Sequence, residues 1–281
     1  MKTPKPENAV DLSGEDIHWN QDISYGQYLN LEKVLNAQQC LSGSHDEMMF
    51  IVIHQASELW MKLMIHELTE AMACVQRDDL GPAMKMVARI ARCQEQLTYS
   101  WNVLSTMTPK DYLSFRDSLG QSSGFQSYQY RMIEFALGNK NPGMVAAHKE
   151  FPEIYQQVNR VLNAPSIYDL TIQLLARRGF DVPDDYLQRD WSQPYTASPA
   201  IEAIWSTVYR DSEQYWELYD WAEKLVDIEH RFQTWRFAHM KTVERIIGHR
   251  RGSGGTGGVS YLVKALELSF YPELWSVRTA L

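Results

Sequence analysis

The chain is poor in cysteine: three in 281 residues, Cys40, Cys74 and Cys93, with no C-x-x-C pair. That excludes a disulfide scaffold and covalent C-x-x-C-H haem attachment, and it fits a reducing compartment. Positive charge is also in short supply, with 27 Lys and Arg against 35 Asp and Glu and a net charge of −8. The densest basic cluster, His249-Arg250-Arg251, is too short to track a phosphate backbone, so no nucleic-acid partner is expected. The N-terminal stretch is polar and acidic without an apolar leader core, and no apolar run looks long enough to span a bilayer. The expectation is a cytoplasmic protein with no membrane partner.

Several catalytic signatures are missing as well. His66-Glu67-Leu68-Thr69-Glu70 lacks the second histidine of H-E-x-x-H, and no G-x-S-x-G occurs. A di-iron bundle needs two E-x-x-H pairs, and the nearest match is the single Asp227-x-x-His230. The Gly-rich stretch 252–258 follows a helical pattern rather than a strand, which removes the context of a dinucleotide or P-loop site. Strand alternation and internal repeats are absent too.

What remains is helical periodicity and many aromatics: nine Trp, fifteen Tyr and nine Phe. Residues 1–20 read as a flexible arm, and 21–281 as one large all-α domain. After a short amphipathic segment over 25–38, Ser44-His45-Asp46-Glu47 predicts a capping box opening a helix to Gln76. Gly81-Pro82 predicts a restart with proline at the first helical position, followed by a buried stripe of Met86, Ile90, Cys93, Leu97, Trp101 and Leu104. Thr108-Pro109-Lys110-Asp111 starts a helix carrying Tyr112, Phe115, Arg116 and Leu119 to Gly120. Further helices are expected through Leu137, from Ser166 to Gly179, across 199–247 as one helix or two, and last from 261 to 270. Residues 181–198 read as a loop or short helices, and 251–258 as a flexible loop.

His239 stands among aromatics in Trp235-Arg236-Phe237-Ala238-His239, where an imidazole is either an ordinary packed residue or a haem ligand. His54 follows Phe50 by one turn, so the two project together. They form either an ordinary core contact or one wall of a pocket for a flat ligand. Arg116 beside Tyr112 and Phe115 suits a carboxylate clamp or a helix-end cation. The loop at 252–258, with Ser253 and Thr256, is either a linker or a lid.

Taken in order, Tyr25-Gly26-Gln27-Tyr28-Leu29, His45 to Gln55, Ser57-Glu58-Leu59-Trp60, Phe115-Arg116-Asp117, Ser122 to Ser127, Gly138 to Pro142, Trp235 to Met240 and Arg251 to Gly255 resemble the tryptophan 2,3-dioxygenase family from about residue 20 onward. The resemblance implies one non-covalent haem b per subunit in a pocket between helices, with His239 as axial iron ligand. Trp101, Ser123 and Gly124 would border the haem. Phe50 and His54 would line the distal side, with His54 on the indole N–H as the catalytic residue. Arg116 with Tyr112 would clamp the substrate carboxylate, and Ser253 would meet its ammonium. The family usually has Thr at that last position, and Ser loses the methyl that stiffens χ1. It further implies a homotetramer in which Tyr25, Tyr28 and Leu29 complete a neighbour's site. The implied reaction inserts both atoms of O2 across the indole C2–C3 bond of L-tryptophan, giving N-formyl-L-kynurenine in tryptophan catabolism. The competing readings are a non-catalytic helical haem and tryptophan sensor, or a haem-free interaction protein.

Overall fold

The computed structural model describes residues 10, 12, 14–16, 23–255 and 257–281. Most of the expected arm over 1–20, and Thr256 of the glycine loop, lie outside the described residues. The chain divides into two compact units, Met1–Gln39 and Cys40–Leu281. The first holds two short helices, α1 (Tyr25–Leu29) and α2 (Leu31–Leu35), joined by Asn30 in the left-handed region at φ 54. Asparagine tolerates that conformation better than most residues. A Ser24–Gln27 capping box starts α1.

The second unit is all-α, and among the described residues no strand occurs. Its frame is three long helices: α3 (His45–Gln76), α4 (Leu80–Leu104) and α11, which covers Trp216–Ile247. The central helix α4 packs along both α3 and α11. Met61, Met64, Leu68, Ala71 and Val75 form the buried row of α3; Ala83, Val87, Ile90, Cys93 and Leu97 form that of α4. Both rows follow the three-to-four-residue spacing of a helix face. By length and composition alone α3 is also apolar enough to cross a membrane, which overturns the expectation that no segment is.

Around this frame sit α5 (Pro109–Leu113), α6 (Tyr128–Leu137), α7 (Pro152–Leu162), α8 (Ile167–Arg177), α9 (Asp184–Leu187), α10 (Pro199–Arg210), α12 (Val259–Leu266) and α13 (Pro272–Ala280). Buried indoles are pinned by hydrogen bonds, as a polar N–H inside a core requires. Trp221 Nε1 donates to Thr171 Oγ1 at 2.9 Å, and Trp205 Nε1 donates to Tyr168 Oη at 3.1 Å. Tyr168 in turn donates to Glu273 at 2.9 Å, which docks α13 against α8.

Several boundaries depart from the sequence expectation. Ser44 makes no cap hydrogen bond to α3, because Glu47 turns backward to accept from the amides of Leu41 and Ser42 at 2.7 Å each. Two neutral amides and the Ser42 hydroxyl satisfy that carboxylate better than one cap amide would. Pro82 is the third residue of α4 rather than the first, since the turn is made earlier by Asp78 at φ 62. A bidentate contact from Arg178 Nε to both Asp78 oxygens, 2.8 and 2.9 Å, holds that conformation. The helix expected through 119 stops at Leu113 and continues as a 3-10 turn over Arg116–Leu119. The stretch 199–247 is two helices, one of the two alternatives expected, whereas the last helix expected over 261–270 ends at Leu266 and a sharp turn leads into α13.

That last turn depends on Glu229, whose carboxylate accepts from the backbone N–H of Phe270 at 2.8 Å and of Tyr271 at 3.0 Å. All three residues are at most 1% exposed. Glu229→Ala leaves two buried amides unpaired and is expected to lower unfolding stability by about 3 kcal/mol in urea titration, with Glu229→Gln losing clearly less. Equal losses in the two variants would show that the acceptor geometry is irrelevant.

Candidate functional site

The site grows from a two-residue pattern on α3. Phe50 and His54, one turn apart, bring their ring centroids to 4.2 Å. The Nδ1 of His54 lies 2.7 Å from the Phe50 carbonyl oxygen. A carbonyl only accepts, so Nδ1 carries the proton and Nε2 keeps its lone pair. Burial holds the His54 imidazole below the usual histidine range, opposed only by that carbonyl and by Glu58. At neutral pH the ring is therefore an uncharged acceptor. Phe50 also meets Phe115 at 5.4 Å and Tyr112 at 6.1 Å. Those rings belong to a small apolar cluster with Ile53, Leu104, Met107 and Ile246.

His239 comes from α11 and forms a three-ring contact with two indoles, which also meet each other at 5.8 Å. Its ring stacks on Trp101 of α4 at 4.7 Å with an interplanar angle of 16°, and on Trp235 at 5.5 Å and 29°. Burial, and secondarily the neighbouring His54, pull its pKa down to about 4. A neutral imidazole is the form that ligates a metal. Among the described residues no three His, Cys, Asp or Glu side chains converge as a metal cage. The donor present is a lone imidazole beside two indoles, a set that fits a flat iron porphyrin held through one side chain. The indole N–H of Trp101 is buried with no partner, an open donor beside that imidazole.

The 251–258 segment rests against the turn at 122–126. Ser253 Oγ donates to the Ser122 carbonyl at 2.7 Å, and Arg116 Nη2 donates to the Arg251 carbonyl at 2.8 Å. Ser123 caps the 3-10 turn Gly124–Gln126, its Oγ accepting from Phe125 N at 3.3 Å. Glycine is required at two points of this segment. A Cβ on Gly254 would lie 2.7 Å from Ser123 Cβ, and one on Gly258, at φ +63, would lie 2.4 Å from the Arg250 carbonyl. The glycines therefore serve close packing, and a linker composition is only part of their meaning.

The expected residues fall into one connected set. Tyr112 interacts with Arg116, Arg116 reaches the 251–258 segment, and that segment touches Ser122 and Ser123 beside Gly124. Phe50, His54, Trp101 and His239 form the aromatic and imidazole end. Tyr25, Tyr28 and Leu29 lie on α1 of the other compact unit, where Tyr25 and Tyr28 are each 76% exposed. Sequence reasoning missed Trp235 as the second ring against His239. It also missed a buried ionic cluster of Arg131, Glu134 and Arg236 behind it.

Gly254→Ala is expected to push the 251–258 segment off Ser123 and raise KM for the substrate about tenfold, the scale of a 1.4 kcal/mol loss. Ser123→Gly in the same chain should recover most of it, as steady-state kinetics would report. No recovery would mean that the contact is not what holds the segment.

The family model described as tryptophan 2,3-dioxygenase matches residues 13–165 and 201–281. The chain is 54% identical to a tryptophan 2,3-dioxygenase of Polaromonas sp. (strain JS666 / ATCC BAA-500), over 99% of this chain and 95% of the relative. It is 55% identical to that of Geobacillus thermodenitrificans (strain NG80-2), over 98% and 99%. A third, from Erythrobacter litoralis (strain HTCC2594), is 56% identical over 93% and 99%.

Proposed function

We propose, for a chain that belongs to the tryptophan 2,3-dioxygenase family, that the chamber between His54 and His239 holds haem b with L-tryptophan beside it. The chain is a dioxygenase acting on tryptophan. The observation that carries the haem reading is a neutral, half-buried imidazole in ring contact with two indoles, one of which has an unused N–H. His239 would hold the haem iron, with Trp101, Ser123 and Gly124 bordering the group. Haem, when bound, supplies the activation of O2 that side chains cannot provide.

The residues of the chain would do the rest. Arg116, with Tyr112 beside it, would accept the substrate carboxylate in exchange for the Arg251 carbonyl it now holds. Ser253 would turn from the Ser122 carbonyl to the substrate ammonium. Phe50 would pack the indole, and the free Nε2 of His54 would accept its N–H. Indole N–H is a far weaker acid than imidazolium, so full proton transfer to His54 would be steeply uphill. In this reading His54 orients and polarises the substrate and leaves it protonated.

The active species would be a cytoplasmic homotetramer. Exposed Tyr25, Tyr28 and Leu29 on α1 are apolar surface that a neighbour's pocket would cover. The product would be N-formyl-L-kynurenine.

Oxygen uptake by the haem-supplemented enzyme tests the reaction: one O2 consumed per L-tryptophan is expected, and haem and tryptophan binding without uptake would support a sensor instead. Arg116→Ala should raise KM for L-tryptophan about a hundredfold while weakening indole analogues without a carboxylate only a fewfold. Equal weakening would remove the clamp. His54→Ala should retain turnover reduced about 10- to 100-fold, whereas His239→Ala falls to background. Loss as complete in His54→Ala as in His239→Ala would contradict the orienting role.

A further inference from the structure

Behind His239 lies a buried ionic cluster with an odd charge. Arg236, one turn earlier on α11, donates Nη2 to Glu134 Oε1 at 2.6 Å and Nη1 to the Ala265 carbonyl of α12 at 3.0 Å. Arg131 donates to the other oxygen of the same carboxylate. Arg131, Glu134 and Arg236 are 4%, 3% and 4% exposed. Two guanidinium groups share one carboxylate, leaving one uncompensated positive charge in the interior. The remaining hydrogen-bond partners are neutral: the Asn139 amide at 3.3 Å and the Tyr130 hydroxyl at 3.4 Å.

Burying such a charge is unfavourable, and a well-packed apolar set often does as well or better for stability. The cluster is instead placed where its field matters. The Arg236 guanidinium lies over the Phe232 ring at 4.7 Å. Phe232 and Tyr130 contact Trp235 at 5.9 and 5.4 Å, and Trp235 stacks on His239. The layer between the charge and the imidazole is thus aromatic, and it screens a charge far less than water would.

We propose that the Arg131–Glu134–Arg236 cluster is a fixed positive charge that biases an iron centre at His239 toward its ferrous state, with Arg236 as the principal positioning residue. The inference rests on the haem reading above. The equilibrium concerned is gain of one electron by ferric iron from an external one-electron reductant, with no bond made or broken. The electron adds negative charge at the centre, so a nearby cation favours the reduced form. A unit charge roughly 10 Å away at an effective dielectric near 20 changes such an equilibrium about tenfold.

The test is spectroelectrochemical titration of the haem-loaded protein with mediators. At fixed solution potential, Arg236→Met should cut the ferrous-to-ferric ratio about tenfold, and Glu134→Gln should raise it by a similar factor. Arg236→Lys, which keeps the charge while losing the planar hydrogen bonding, should stay near wild type. A purely structural role predicts shifts of one sign in all three. Should Glu134→Gln fail to fold, the Met and Lys variants at 236 still decide, and Arg131→Met should repeat the loss. Ratios that do not move, that move together, or that fall as far in Lys as in Met overturn the proposal while leaving the haem reading intact. A wild-type protein that forms no His239-dependent haem spectrum overturns both.

Discussion

The interaction on which the site depends is the partial withdrawal from water of two uncharged imidazoles, one on α3 and one on α11. His239 is kept neutral by removal from water and by the proximity of His54, and stacked indoles leave its ring little rotational freedom. His54 is kept neutral by burial and fixed in one tautomer by the Phe50 carbonyl. Protonating His239 would place a cation among aromatic rings and beside a second histidine, and at His54 the nearby Glu58 offsets the loss of water only in part. A ligand lone pair and an acceptor lone pair follow directly from that constraint.

The long helices are what let the constraint be met. α3 brings His54, α4 brings Trp101 and α11 brings Trp235 and His239, so the chamber lies among the three members of the central packing. Shorter helices are fixed to α11 by buried polar contacts: Glu229 on the turn before α13, and Arg236 on both α6 and α12. Because α12 follows the 251–258 segment directly, the same contacts anchor one end of the piece that lies over Ser123. Catalytic position and segment position therefore share a support.

Much of this was legible in the sequence. The bounds of α3 follow from an uninterrupted apolar stripe between turn signals, and α8 from a Ser166–Asp169 capping box that forms as expected. Phe50 and His54 meet because one-turn spacing leaves them no alternative. The misses have equally physical causes. Ser44 carries the residue type of a cap, but Glu47 found stronger donors at Leu41 and Ser42. The last helix was expected over 261–270, and the separate α13 that Pro272 starts at its first position was not expected. The charge cluster was out of reach, because a sequence does not say which arginines are buried together.

The most direct test of the account is the absorption spectrum of the reduced, haem-supplemented protein, recorded with and without L-tryptophan. An imidazole-bound haem facing an amino-acid pocket predicts a strong Soret band that shifts when L-tryptophan is added. A protein that gains no Soret band, or whose band L-tryptophan leaves unchanged at saturating concentration, would contradict it.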